Sequence, residues 1–231
     1  MTALALAAGA LFALIGAGAE RLASVWPPDE ASRRRHGVRT VLLALASGAA
    51  GWAIAARSSL PLWATAVHLL ILAVLVVLAA TDLEQRRLPH VLLDPLIVIA
   101  LAFVPFNPNV TPLDALLGAA AAIAFLGILG LVIRSGVAVG DLYLVAPLGL
   151  LLGWPAIFLA IFLAALISSV TSIALLVSRR VGLKSYIPFG PFLVAGAVLT
   201  LLRDERLLGE IGGGAGTLAG WLAMRLSSGA P

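Results

Sequence analysis

The chain has 231 residues, of which 61% are hydrophobic and 11% charged, with a formal net charge of +4 and a mean hydropathy of +1.10. A water-soluble domain carries roughly 25% charged residues, so a soluble globular fold is excluded, and the basic balance fits membrane loops better than a nucleic-acid surface. No cysteine is present, which removes disulfides, thiolate zinc sites and thiol catalysis.

Apolar runs long enough to cross a bilayer, about 20 residues, recur along the chain. In lipid such runs must be helical, because an open strand edge leaves backbone groups without partners. The expected class is therefore all-α, a polytopic transmembrane bundle of about eight membrane helices, read as one integral-membrane domain over residues 1–231. Taken in order, the expected spans are 2–24, 39–57, 61–81, 89–105, 112–133, 141–153, 155–178 and 188–202. The first lacks a basic segment before it and stays apolar too long for a cleaved signal, so it is read as a membrane helix. Gly153-Trp154-Pro155 is open to two readings, a turn between two helices or a kink within one. A last apolar stretch, 207–226, is interrupted by GGGAG and is expected along the interface.

Arginine and lysine set the orientation. Alternate loops on one side hold Arg33, Arg34, Arg35, Arg39, Arg86, Arg87, Arg134, Arg179, Arg180 and Lys184, whereas the other side holds Arg57, Arg203 and Arg206. The first set is expected in the cytoplasm, with the N-terminus outside. The uncharged loop FNPNVT fits the outer side, and Thr111 is expected to cap the next helix with Pro112 at its start and Asp114 in its first turn.

Asp82 ends the third expected span and Asp141 begins the sixth. Two complete spans lie between them, so both face the same side. Each has an ordinary reading, Asp82 as an interfacial acid paired with Arg86 or Arg87, Asp141 as a helix N-cap after Gly140. A carboxylate near the membrane is nonetheless costly and tends to be paired or functional. Two carboxyl groups brought close in a low-dielectric site cannot both ionise and share a proton, the chemistry of aspartic proteases. The other acids read as solvating groups: Glu20, Asp29 and Glu30 beside the Arg33–35 cluster, Asp204, Glu205 and Glu210 in an outer segment, and Asp94 as a polar contact near a helix end. His36, His68 and His90 are scattered without ligand spacing, so no metal site is expected.

Three segments resemble the type IV prepilin peptidases, which belong to the GxGD group of membrane aspartic proteases. TDLEQRRLP at 81–89 is similar to the motif that a first catalytic aspartate opens and Leu-Pro closes. GVAVGDLYLVAPLGLLLGW at 136–154 is similar to the Gly-rich loop of the second, and IPFGPFLVAGA at 187–197 to a third signature. The resemblance runs from about 70 to 202. It implies that Asp82 and Asp141 are the catalytic pair, that no cofactor is needed, and that the substrates are prepilin-like proteins cleaved at the cytoplasmic face of the plasma membrane, with a basic leader and an apolar helical N-terminus that enters laterally. Gly136, Gly140, Pro188, Gly190 and Pro191 are expected to form the active-site loops. The two glycines would turn the backbone tightly, and the Pro-Gly-Pro region would offer backbone groups to an extended peptide. Glu84 is expected to attract the leader. Ala138 stands where the group pattern has Gly, and Tyr143 where relatives usually carry Lys; neither departure removes a carboxylate.

Many bacterial members also N-methylate the new N-terminus and carry an insertion with paired cysteines between the first two spans. Here the loop is residues 25–38 and has no cysteine, so a short form that cleaves without methylating is expected. Two other readings remain. One is a preflagellin (archaellin) peptidase of the same group. The other is a non-proteolytic homologue or transporter using the acids for protons, with SSVTS at 168–172 lining a path, although such residues also hold helices together.

Overall fold

The computed structural model describes residues 2–26, 37–58, 60–132, 138–179, 182 and 187–203. These form eight α-helices: α1 (Thr2–Ala23), α2 (Val38–Arg57), α3 (Leu62–Gln85), α4 (His90–Phe103), α5 (Pro112–Val132), α6 (Val139–Leu152), α7 (Ala156–Val177) and α8 (Gly190–Leu201). Among the described residues there is no strand, and the architecture is an all-α membrane bundle. Five helices, α1, α2, α3, α5 and α7, are long and apolar enough to cross a bilayer. The other three are shorter. At 1.5 Å per residue, α4, α6 and α8 cover about 18–21 Å of a hydrocarbon core about 30 Å thick.

Each expected span corresponds to a helix, with instructive shifts at the ends. Helix α3 runs past the expected residue 81 to Gln85, where Arg86 adopts a left-handed conformation (φ 55°) and its N–H closes on the Asp82 carbonyl at 2.9 Å. Pro89 then opens α4 without needing a donor, its carbonyl accepting from the N–H groups of Leu92 and Leu93. Gly153-Trp154-Pro155 is a turn between two helices and not a kink. Gly153 takes φ +71°, a conformation that disfavours any residue with a Cβ, and the Trp154 N–H donates to the Asp114 carbonyl at 2.9 Å. The stretch 207–226 lies outside the described residues, as do Asp29, Glu30, Asp204, Glu205, Glu210 and the Arg33–35 cluster.

The cap before α5 forms as expected: the Asp114 N–H donates to Thr111 Oγ1 at 3.2 Å, and that hydroxyl donates to the Asp114 carboxylate at 2.6 Å. Nearby, buried Asn107 donates to the Leu151 carbonyl near the end of α6, satisfying one of the carbonyls a helix leaves without an internal partner.

Helix α1 pairs with α2, and both pack on α3. Helix α6 packs on α4, α5, α7 and α8, while α8 touches both α3 and α6. Small residues let the backbones approach closely, as membrane helices require when packing cannot draw on water exclusion. At the α7–α8 crossing a Cβ on Gly196 would lie 2.2 Å from the Ala160 carbonyl oxygen. Gly127, by contrast, has nothing within 4 Å of where its Cβ would stand. Gly196→Val is expected to destabilise the bundle by about 1–3 kcal/mol, whereas Gly127→Val should change stability by less than about 0.5 kcal/mol. Thermal unfolding in one detergent checks both, and equal losses would mean that the crossing is not tight.

Candidate functional site

Asp82 lies in the last turn of α3 and is 5% exposed; Asp141 lies in the first turn of α6 and is 2% exposed. Their carboxylates are within electrostatic reach of each other although α4 and α5 separate them in the chain. Two intervening helices return the chain to the same end of the bundle, as the even number of spans requires.

Each carboxylate is held by backbone. Asp82 Oδ2 accepts the Gly190 N–H at 3.1 Å, one of the donors that the start of α8 leaves without an internal partner. Asp141 is the third residue of α6 and not its N-cap. Ala138 occupies the cap in an extended conformation, and the Asp141 carboxylate reaches back to the Ala138 N–H at 3.4 Å. Helix α8 therefore contacts both helices that carry the acids, bonded to Asp82 through its first residue and packed on α6.

Gly190 has no room for a side chain. A Cβ there would stand 2.6 Å from Asp82 Oδ2 and 3.6 Å from Leu144, one turn beyond Asp141. Pro188 is buried just before α8, and Pro191 is its second residue, so α8 begins where the Pro-Gly-Pro pattern indicated. The Gly190 N–H is engaged by Asp82. Gly140 is helical and makes no tight turn. It lies against Leu88, in the connection between α3 and α4, with 3.1 Å between its would-be Cβ and Leu88 Cδ1. Gly136 lies outside the described residues.

A second set of polar contacts pins this end of the bundle. Arg39, in the first turn of α2, pairs with Glu84, whose side chain is 2% exposed. Thr40 donates to Glu20 at 2.9 Å, and Gln85 Nε2 donates to the Ala23 carbonyl at 2.7 Å. Glu84 is thus a buried ion-pair partner and not a surface that attracts a leader. Glu20 is buried too, and does not merely solvate a loop. Sequence reasoning missed this network because its partners are 20 to 62 residues apart and each residue alone looks interfacial. Asp94 is exposed and lies 3.6 Å from His90 Nδ1, the contact near a helix end that was expected. Among the described residues, no three His, Cys, Asp or Glu side chains gather as a set of metal ligands.

Two carboxylates buried together, each with one backbone donor, make a site able to hold and pass a proton. Residues 69–173, which contain both, match the model of the type IV leader peptidase family. Among curated proteins, the chain is 34% identical over 158 residues to a prepilin leader peptidase/N-methyltransferase of Aeromonas salmonicida (strain A449), covering 66% of this chain and 54% of that protein. It is 34% identical over 177 residues to one of Aeromonas hydrophila (74% and 59%) and 29% identical over 141 residues to one of Bacillus subtilis (strain 168) (59% and 55%). The chain thus spans about half the length of the curated relatives it matches. No solved structure matches it. Through the segment that carries Asp82 and Asp141, the chain belongs to the type IV leader peptidase family.

Proposed function

We propose that the chain is an intramembrane aspartic endopeptidase that removes the leader of prepilin-like proteins at the cytoplasmic face. The observation that carries this reading is the pairing of Asp82 and Asp141, both buried and within electrostatic reach, inside the segment that matches the family. Its prepilin-like substrates follow from the names of its relatives.

In this mechanism the pair holds one proton. The ionised carboxyl takes a proton from a water molecule as the water oxygen bonds to the scissile carbonyl carbon, and the protonated carboxyl donates to the carbonyl oxygen. Collapse of the tetrahedral intermediate breaks the C–N bond: the carboxyl that took the water proton passes it to the leaving amine, and the other takes back the proton it gave to the carbonyl oxygen, restoring the shared proton. Gly190 acts as a positioning residue through its N–H on Asp82. Pro188 and Pro191 frame that entrance, and Gly140 immediately precedes Asp141 at the start of α6.

Asp82→Asn and Asp141→Asn are each expected to lower cleavage of a prepilin-like precursor by about 1,000-fold or more, because an amide can neither take nor share the proton. Gly190→Ala should cost at least about tenfold by displacing the Asp82 carboxylate, and Asp94→Asn should stay within about threefold. Cleavage is followed by gel shift on variants that elute as the wild type does in detergent. Loss in the Asp94 variant with retention in the Asp82 variant would reassign the pair.

The excess of arginine and lysine in the loops on the aspartate side supports a cytoplasmic aspartate end and an outside N-terminus. The chain has no cysteine, so single-cysteine variants report cleanly on side. Arg87→Cys should react with an impermeant maleimide only from the cytoplasm, and Asn109→Cys only from outside; the opposite pattern would invert the orientation.

These 231 residues cleave without methylating. They contain no cysteine, and the loop at 25–38, largely outside the described residues, has one histidine, too few donors for a four-ligand zinc site. The Arg33–35 cluster in it anchors to anionic lipid. Mass spectrometry of the product formed with S-adenosylmethionine should give the unmodified mature chain, and a product heavier by one methyl group refutes the claim.

A further inference from the structure

A cavity of about 510 Å³ lies between α2, α3 and α8; neither carboxylate lines it, but one end is formed by residues next in the chain to Asp82 and Gly190. Its floor is one face of α3, formed by Leu72, Val76, Ala79 and Leu83. That spacing follows a single helical stripe about 16 Å long, or three turns. Helix α2 packs on α1 and α3, and α8 packs on α3, α6 and α7, so the two stand as walls on either side of the floor. The far end carries Arg57. The near end carries Leu83 and Pro191, the chain neighbours of Asp82 and Gly190, which are themselves joined by a hydrogen bond.

The geometry points to this groove as the seat of the apolar helix of the substrate, an assignment that rests on the endopeptidase reading. The lining is almost wholly apolar. Its one serine, Ser47, already donates within the chain, to carbonyls that include that of Phe12 at 2.8 Å, and so does not call for a polar occupant. A polypeptide segment in such surroundings has to satisfy its own backbone, which makes it a helix. Alanines on the walls, among them Ala50 and Ala195, let another helix backbone come close. A helix laid along the floor delivers its end to Asp82, and there it must unwind, because only a carbonyl released from its helical bond is open to attack. The groove thus selects the substrate by its apolar segment, while the carboxylates act on whatever peptide bond that segment brings to them.

The test compares two substrates in detergent. One is a prepilin-like precursor with its apolar segment intact, and the other a soluble peptide with the leader and only a few residues beyond the cleavage site. Ala50→Trp and Ala195→Trp fill the groove, and Ile128→Trp, on the exposed face of α5, is the control. The groove variants are expected to raise KM for the precursor by at least about tenfold and to leave kcat/KM for the short peptide within about twofold, with the control unchanged on both. A parallel loss on both substrates, or no loss on either, overturns the assignment; the second result is the one expected if the groove holds only a lipid chain. A wild-type chain that cleaves neither substrate overturns the endopeptidase reading instead. The groove is then judged by photocrosslinking: capture of the apolar segment by a photoreactive side chain placed at Ala195 but not at Ile128 supports it, and any other pattern overturns it.

Discussion

The hydrogen bond from the Gly190 N–H to Asp82 Oδ2 is the contact on which the arrangement of the site depends. It joins the last turn of one helix to the first residue of another more than 100 positions away, in a setting where an unpaired donor or acceptor is expensive. The bond is possible because residue 190 is glycine. A Cβ would occupy the space of the carboxylate, 2.6 Å from its oxygen, and α8 would have to withdraw. Withdrawal would also loosen α8 from α6, since a side chain at 190 points toward Leu144 as well. One small residue therefore sets the separation between the helices that carry the two candidate acids.

The rest of that end of the bundle keeps α3 still. Asp82 lies three residues from the end of its helix, a place where helices commonly fray. Here the residues just past the acid are held by neighbouring helices. Glu84 takes Arg39 of α2, Gln85 reaches the carbonyl of Ala23, the last residue of α1, and Arg86 closes the helix in a left-handed conformation. Removing one partner of a buried ion pair leaves an uncompensated charge, so Arg39 and Glu84 hold the helix end as a unit. The Arg39–Glu84 contact also ties α2 to α3, two of the helices that line the groove.

Short helices serve the same end. Helices α6 and α8 begin at the level of the carboxylates, and the N-cap of α6 and the first residue of α8 present backbone N–H groups to them. At its other end α6 is stopped by Gly153 and tied to α5 by the Trp154 bond, so its brevity is built in at both termini.

Much of this was legible in the sequence. The apolar runs located the eight helices because lipid admits so few backbone solutions, and their even spacing brought Asp82 and Asp141 to one side. Thr111 declared its cap through local chemistry, and the Pro-Gly-Pro pattern marked the start of α8. What the sequence left open were relations between distant residues. It read Glu84 and Glu20 as surface acids, although each is buried against a partner on another helix. It read Gly140 as a tight turn and Asp141 as a possible cap, whereas the helix starts earlier, at Val139, with Ala138 as its cap. It supplied no sign that the Gly190 N–H would be engaged by Asp82, or that α2 and α8 would flank α3 as the walls of a groove. Periodicity and caps are properties of neighbouring residues and can be read along a chain. Burial, ion pairing and the space left between helices depend on which faces meet, and only the packed structure decides that.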